Sequence, residues 1–495
     1  MKRKGLFIPV VIGILALVSC LTVIVVLPHT RMVLDDFVYA ADVHHVWLDT
    51  HSIGNVLRAT VDRVIEIYRV HQGAFIASFP HTLNGTTFHE RYYWIELLIH
   101  FLLFVWAVFR MGTVLFRRLL KMEVKDTITI IFALLAVFIN FVPDSTDAFF
   151  AYNLCSMYTG FYSLFLIAVS YVVELLTLEN GKRKSRGLAI KGCLFAFLSG
   201  GGHLSVSAII SVFLIFALIY AFKWRRDRFV STLIISIFGI ASSLINALAP
   251  GYRMRAEEGS VDYGMSPLKS IFYSGVHALE EINAFTTIYF IAMIFLVAVL
   301  VLKALSKHGG TYKFSHPLFV TVTLAIVSIF LYVPNYYAIG SVHYLRLKDA
   351  SFFQYYWVMI GLLIYWLGYF SQKYMDDITR AVHYLENISL IKKNCFALIV
   401  IAASVLSTGK LDSVLSINLA RRMINGEIPT YSKERDEWIE TCLEHVGEDV
   451  TVNDLSNYPE AIDRWHVGLT PGEYNWVNGT IADYYRLNSF QVIYD

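Results

Sequence analysis

Hydrophobic runs of about 20 residues recur through most of this chain, and they restrict its fold more than any other feature. A run of this length crosses the roughly 30 Å hydrocarbon core of a bilayer as an α-helix. Lipid offers no hydrogen-bond partners, so each segment must satisfy its own backbone groups. Only 16% of the 495 residues are charged, whereas soluble proteins carry about 25%. We therefore predict an all-α polytopic membrane protein in the cell membrane.

About eleven apolar segments qualify as transmembrane helices, within a range of roughly nine to twelve. They are Gly5–Leu27, Trp94–Phe116, Thr127–Val142, Tyr158–Leu178, Leu188–Leu198, Leu204–Phe222, Phe229–Leu248, Phe285–Leu302, Pro317–Val333, Phe352–Phe370 and Cys395–Leu406. The weakest is Leu188–Leu198, which contains Lys191 and breaks at Gly200-Gly201-Gly202. It is counted because without it the basic loops on its two sides would lie on opposite faces of the membrane.

Lys and Arg residues cluster in alternate loops, and this predicts the orientation. The clusters lie in residues 2–4, 117–125, 182–191, 223–228, 303–313 and 373–393. Because basic loops stay on the cytoplasmic side, we predict that these loops and the N-terminus are cytoplasmic. The outer face then receives residues 28–93, 143–157, 199–203, 249–284, 334–351 and a tail. We divide the chain into a transmembrane domain, 1–408, with a first outer loop, 28–93, and an extracytoplasmic tail, 409–495.

The first outer loop contains a predicted amphipathic helix between Asn55 and Val70. Its apolar residues recur at helical spacing and its charged residues fall between them. Such a helix is typical of the membrane surface. A helix packed on the rest of the protein fits the pattern as well.

Asp35 and Asp36 are the leading candidates for a catalytic role. They follow the first span by about eight residues in an otherwise mostly apolar stretch, Met32 to Tyr39. Burial and mutual repulsion raise the pKa of such carboxyl groups, which suits a general base. The alternative interpretation is a solvated loop start or a helix cap.

Basic residues on the same predicted face offer a phosphate site. Arg253 and Arg255 follow the turn Ala249-Pro250-Gly251, and Arg346 and Lys348 lie in the next outer loop. Guanidinium groups bind phosphate oxygens in a bidentate manner. Charges that anchor a helix end at the membrane surface are the simpler explanation for both pairs.

His203 follows the triple glycine on the outer face and is a further candidate, although a lone histidine is more often structural. His44 and His45 could hold a metal ion with Asp42 or Asp49, but adjacent side chains rarely bind the same ion. No H-E-x-x-H or P-loop motif is present in a usable context. We therefore assign no metal site.

The combination of these features resembles the GT-C superfamily of membrane glycosyltransferases, which use lipid-phosphate-linked sugars. Three motifs, Asp35-Asp36-Phe37-x-Tyr39, Ala249-Pro250-Gly251-x-x-x-Arg255 and Trp476-Val477-Asn478 with Tyr484-Tyr485, are more closely similar to a poorly characterised bacterial membrane family. That family is usually placed near GT-C, and the likeness covers most of the chain. Each motif is short, so their order and predicted sidedness carry the resemblance.

The resemblance implies an inverting transfer of a sugar from a polyprenyl-phosphate donor to a cell-surface glycopolymer or glycolipid. Asp35 or Asp36 would be the base, and Arg253 or Arg255, with Arg346 or Lys348, are the candidates that would hold the phosphate. Tyr39 and His203 are further candidate site residues. A requirement for Mg²⁺ or Mn²⁺ stays open, and no nucleic-acid partner is expected. The alternatives are a multi-spanning transporter or flippase, and a polymerase or ligase of lipid-linked glycans.

Overall fold

The structure is a computed structural model that describes residues 6–178, 182–257, 264–308, 312–342, 345–465 and 475–493. It is built almost entirely from helices. They are α1 (Phe7–Val26), α2 (Asp35–Thr50), α3 (Ile53–Val70), α4 (Phe75–Thr82), α5 (Tyr93–Gly112), α6 (Val124–Asn140), α7 (Tyr152–Cys155), α8 (Phe161–Thr177), α9 (Lys182–Gly200), α10 (Leu204–Trp224), α11 (Phe229–Ala247), α12 (Pro250–Glu257), α13 (Pro267–Phe285), α14 (Ile288–His308), α15 (Pro317–Phe330), α16 (Val333–Ile339), α17 (Leu345–Ser371), α18 (Met375–Asn387), α19 (Leu390–Leu406), α20 (Leu415–Ile424), α21 (Glu427–Glu444) and α22 (Asn475–Tyr485).

Eight helices in the described ranges are long and apolar enough to cross a membrane. They are Phe7–His29, Glu90–Leu119, Tyr152–Thr177, Leu204–Trp224, Arg226–Arg255, Ile288–Lys307, Pro317–Ile339 and Arg346–Ser371. A ninth would form if α18 and α19, which meet at a bend of 92°, act as one broken span. The chain is thus a helical, membrane-embedded multi-pass protein.

The sequence-based count of about eleven also includes α6 and α9, which are not among the eight candidates within the described ranges. Helix α6 has 17 residues, or about 26 Å at 1.5 Å per residue, which is short for a span. Helix α9 begins with basic residues, Lys182 to Arg186, and its mean hydropathy is therefore low. It ends at Gly200, so the predicted break at the triple glycine is confirmed.

Four of the basic loops meet at one end of the helical bundle. Arg118 and Lys184 form ion pairs with the same carboxylate, Glu174 at the end of α8. Arg225 donates a hydrogen bond of 2.7 Å to the carbonyl oxygen of Leu178, just beyond α8. The end of α14 joins the start of α6 through Lys303 Nζ, 2.7 Å from Asp126, and Lys307 Nζ, 2.7 Å from Glu123. We call this the basic end. The N-terminal cluster, Lys2, Arg3 and Lys4, lies outside the described residues.

The tail packs against the first loop at the opposite end, which we call the Asp35 end. Two strands, β1 (Asp449–Asn453) and β2 (Ser489–Ile493), pair in parallel with Asp449 opposite Ser489. Arg31 pairs with Asp436 at 2.6 Å and Arg486 with Asp49 at 2.6 Å. The Tyr484 hydroxyl donates a hydrogen bond of 2.7 Å to the carbonyl oxygen of Thr86. These contacts attach the tail to the residues that surround Asp35.

The predicted amphipathic helix is α3, which begins one turn after α2 ends. Ser52 caps it by accepting a hydrogen bond from the Asn55 amide at 3.4 Å. It buries Val56, Thr60 and Ile67 against the protein. A stripe at four-residue spacing stays exposed and consists of Ile53, Leu57, Val61 and Ile65. An exposed apolar stripe favours the membrane-surface interpretation over complete packing inside the protein.

Candidate functional site

Asp36 is held by three donors and belongs to the framework of the site. It lies at the start of α2, where its carboxylate accepts from Tyr93 Oη at 2.7 Å, from the Val33 amide at 3.0 Å and from the Asn153 amide at 2.8 Å. Burial raises the pKa of Asp36 to about 7, although these three donors oppose the shift. Asp36 therefore ties α2 to α5 and α7.

Asp35 is half-buried and more available for chemistry. Its carboxylate forms no hydrogen bond to any residue that the structure describes. Burial raises the pKa of Asp35 above its ordinary value, and the charges of Arg346 and Arg255 act in the opposite direction. Leu34, immediately before it, has φ 45°, a conformation that costs a branched side chain roughly 1–3 kcal/mol. Helix α2 thus begins at Asp35, directly after the strained backbone of Leu34.

Close backbone packing holds the helix that carries Arg255 against the first loop. A β-carbon added at Gly251 would lie 2.5 Å from the backbone nitrogen of His71, and one added at Gly73 would strike the carbonyl of Asn246. Only glycine permits this approach. The charge of Arg255 consequently influences Asp35, Tyr39 and His71. The predicted turn at Pro250-Gly251 is therefore the start of α12, and its packing on the first loop brings the charge of Arg255 to bear on Asp35.

Arg346 approaches Asp35 from the start of α17 and is held by two other segments. Its Nε lies 3.8 Å from Asp147 Oδ2, and its Cζ lies 5.2 Å from the centre of the Trp465 ring. Trp465 Nε1 in turn donates to Asp147 Oδ1 at 2.8 Å. Burial and the neighbouring Asp144 raise the pKa of Asp147 to about 6, against the effects of Trp465 and the two nearby arginines.

The tail completes this arrangement through Arg464. Its Nη1 lies 2.6 Å from Asp144 Oδ2 and its Nη2 lies 3.5 Å from Asp147 Oδ2. Ser145 and Thr146 also donate hydrogen bonds to tail carbonyls, at 2.8 and 2.9 Å. The tail is therefore part of the wall that positions Arg346.

Tyr39 and His203, the two secondary candidates, lie close to the same charges. Tyr39 Oη accepts a hydrogen bond from Gln72 Nε2 at 2.8 Å, and its pKa is raised chiefly by burial and further by Asp35. His203 caps α10 by accepting from the Ser205 amide at 3.2 Å. Burial lowers the pKa of His203 to about 4, and the charge of Arg346 adds to the shift. His203 is thus a neutral structural cap beside the site.

Arg253 and Lys348 are placed differently from their partners in the sequence prediction. The Arg253 side chain is 85% exposed and its Nε lies 2.8 Å from Glu257 one turn later. Lys348 follows Arg346 by two residues, and a separation of about 200° around a helix puts it on another face. Of the four predicted phosphate ligands, Arg255 and Arg346 are the two whose charges act on Asp35.

An apolar cavity of about 510 Å³ lies between the first loop and helices α5 and α8. Its lining residues are Val64, Phe75, Ile76, Phe79, Pro80, His100, Leu103, Gly160, Phe161 and Leu164. The Ile76 amide donates to the carbonyl of Gly201 at 3.0 Å, two residues before His203. The cavity wall therefore adjoins the segment that carries His203, and its Val64 belongs to α3.

No group of three or more His, Cys, Asp or Glu side chains within the described ranges is placed to hold a metal ion. His44 Nδ1 instead contacts the Thr87 carbonyl at 3.0 Å and its ring stacks on Tyr484 at 4.3 Å. The expectation of a divalent cation therefore stays untested.

Several residues of the site were not singled out from the sequence. Asp147, Trp465 and Arg464 meet only because the tail, more than 300 positions later in the chain, packs on the segment between α6 and α7. Asn153 supports Asp36 through its backbone amide, which no side-chain motif can indicate. The predicted outer location of the aromatic tail was the one available signal for Trp465.

No family model, no curated protein and no solved structure matches this chain. Its function has to be inferred from the residues around Asp35.

Proposed function

We propose that the protein is an inverting membrane glycosyltransferase that moves a sugar from a polyprenyl-phosphate donor to a cell-surface glycan or glycolipid. Two observations carry the proposal: Asp35 is a half-buried carboxylate with no hydrogen bond to the described residues, and the charges of two arginines on separate helices act on it. Arg255 and Arg346 both act on the pKa of Asp35. A base beside a site for an anionic leaving group is what this reaction needs.

Asp35 is the proposed base. Its oxygen removes the proton from an acceptor hydroxyl while that hydroxyl oxygen forms a bond to the anomeric carbon. The bond between the anomeric carbon and the phosphate oxygen breaks, and the phosphate leaves with the electron pair. Asp36 is assigned a positioning role, because three hydrogen bonds already occupy its carboxylate.

Arg255 and Arg346 are the proposed ligands of the leaving phosphate. A guanidinium group stabilises the negative charge that develops on the phosphate oxygens as the bond breaks. The second arginine is kept in place by Asp147 and Trp465. Arg253 and Lys348 have no part in this assignment.

The apolar cavity is the proposed site for the first isoprenoid units of the donor. Its aromatic and aliphatic lining, with only His100 carrying a polar side chain, suits a hydrocarbon chain. The exposed stripe of α3 would bring this face of the protein to the bilayer surface. The lipid would then enter from the membrane while the phosphate reaches the arginines.

The experiment replaces Asp35 by Asn and Asp36 by Asn in separate bacterial strains that lack any other copy, followed by surface-glycan composition analysis. The Asp35→Asn strain should lose one sugar component while the protein is made at normal level. If both variants are made normally and the glycan matches wild type, the assignment fails.

The same strains separate the alternative functions. A transporter or flippase forms no glycosidic bond, so membranes from the strain with the unaltered protein would transfer no labelled sugar to the acceptor. A polymerase or ligase of lipid-linked glycans would change chain length or attachment and leave the sugar composition intact. Loss of one sugar with unchanged chain length therefore favours the transferase.

A further inference from the structure

The basic end contains a buried carboxylate shared by three cations. The Glu174 side chain is 3% exposed. Its Oε2 lies 2.6 Å from Arg110 Nη2 and also contacts Arg118. Its Oε1 lies 3.5 Å from Lys184 Nζ. We call these four residues the Glu174 cluster. They join the ends of α5 and α8 to the start of α9.

Positive charge is in excess here. Glu174 is the one carboxylate that pairs with any of these three cations in the described part of the chain. Lys191 adds a further charge, with its Nζ 6.0 Å from the Tyr171 ring on whose face Arg110 also lies, at 4.2 Å. Like charges this close repel unless an anion lies among them.

Arg110 also has an unused donor. Its side chain is 10% exposed, and its Nη1 is buried with no hydrogen-bond partner among the described residues. Buried donors are nearly always paired in folded proteins, with protein, water or ligand. The other terminal nitrogen of Arg110, Nη2, already donates a hydrogen bond to Glu174 Oε2 at 2.6 Å. An added acceptor oxygen would satisfy Nη1.

The outer part of the cluster is accessible. Arg118 is 43% exposed and Lys184 is 56% exposed, whereas Arg110 and Glu174 lie behind them. Helices α5 and α8 are membrane-span candidates that end at this cluster, the level at which lipid headgroups lie. A phosphate group offers several acceptor oxygens to guanidinium and ammonium donors.

We propose that the Glu174 cluster binds a phosphate group, that of an anionic phospholipid headgroup or free phosphate, through Arg118 and Lys184 with Arg110 behind them. The cluster is separate from the Asp35 site, so the proposal does not depend on the proposed function. This specific site differs from a general attraction of basic residues to an anionic membrane surface. In a general attraction, every exposed lysine would contribute equally.

The test uses the full-length protein in zwitterionic phosphatidylcholine nanodiscs and measures retention of added phosphatidylglycerol by native mass spectrometry. The variant is Arg118→Gln with Lys184→Gln, which leaves the buried Arg110–Glu174 pair intact so that folding is preserved. The matched control is Lys307→Gln, at the same end and 44% exposed. Inorganic phosphate is added in a second arm as competitor.

Wild type and Lys307→Gln should retain phosphatidylglycerol in preference to phosphatidylcholine, and the double variant should bind it about tenfold more weakly, as expected for the loss of charge-assisted hydrogen bonds. Displacement by millimolar inorganic phosphate would assign free phosphate as the ligand; persistence of the lipid would assign the headgroup. Equal retention by the double variant and Lys307→Gln, or no preference in wild type, would overturn the proposal.

Discussion

The two ends of the membrane-span candidate Glu90–Leu119 place charge in opposite ways. At its start, Tyr93 donates to Asp36, and the surrounding carboxylates Asp35, Asp144 and Asp147 are half-buried or buried. At its other end, Arg118 belongs to a group of cations that share one carboxylate. The comparison teaches that one apolar bundle gathers carboxylates at one end and cations at the other.

What distinguishes Asp35 from Asp36 and Glu174 is the number of polar groups that contact the carboxylate. Asp36 accepts three hydrogen bonds and Glu174 pairs with three cations, and each therefore supports structure. Asp35 has only the longer-range influence of two arginines. It is the carboxylate most free to accept a proton from a substrate.

The largest expected effect comes from Asp35→Asn. Removing a general base should lower transfer by about 100-fold to 10,000-fold, with an unfolding temperature close to wild type because no described hydrogen bond is lost. Transfer is measured in membranes with labelled donor, and unfolding is followed in detergent. Transfer at the wild-type rate would break the comparison between the two ends.

Glu174→Gln should lower the stability of the protein and leave its transfer activity unchanged. Leaving three cations around a neutral side chain removes a buried ion pair, which costs about 3–5 kcal/mol of unfolding free energy. The expected result is a much lower unfolding temperature, while the protein that remains folded keeps its rate of transfer. A stable Glu174→Gln protein with no activity would show that the two ends are not independent.

Arg346→Gln and Arg255→Gln sharpen the assignment of the phosphate site. Each removes a charge-assisted hydrogen bond of about 1.5–3 kcal/mol, so transfer should fall about tenfold to hundredfold. Arg253→Gln is the matched control, since its side chain is exposed and paired with Glu257. Equal losses in all three variants would point to general surface charge rather than a site.

Trp465→Leu tests whether the tail positions Arg346. The variant removes the ring beside the guanidinium group and the hydrogen bond to Asp147. A cation–π contact contributes about 0.5–2 kcal/mol, so the KM for the donor should rise several-fold with little change in kcat. A purely structural role would instead lower the unfolding temperature and leave KM unchanged.

Acid stability tests the attachment of the tail to the first loop. Burial lowers the pKa of His44 to about 4 from an ordinary value of 6.5. Between these values the unfolded chain binds more protons than the folded one, so stability falls as the pH falls from about 6.5 to about 4. His44→Phe keeps the stack on Tyr484 and should make this decline shallower in thermal unfolding. An identical decline would exclude His44 as a contributor.

Periodicity and charge predicted much of the fold. The apolar runs of Phe229–Leu248 and Pro317–Val333 are helices close to the predicted bounds, because burial in lipid leaves no other backbone solution. Four of the six basic clusters predicted to share a face meet at one end of the bundle, through Glu174, Leu178, Asp126 and Glu123. The helix count was less secure, since α6 and α9 lie near the limits of length and hydropathy.

The site was predictable only in part. Asp35, Arg255 and Arg346 could be named because charges are rare and conspicuous beside apolar spans. The difference between Asp35 and Asp36 depends on Tyr93 and Asn153, which approach through tertiary packing. Likewise, Arg253 and Arg255 are two positions apart on a helix and therefore lie on different faces. The sequence does not show which of these faces is directed toward Asp35, because that depends on the neighbouring helix.

The most direct test of the account is the affinity of purified Asp35→Asn protein for polyprenyl phosphate. If Asp35 shares a pocket with Arg255 and Arg346, removing its negative charge should tighten binding of the phosphate by about threefold or more, since like charges at short range repel. Unchanged or weaker binding would contradict the claim that the carboxylate and the two arginines form one site.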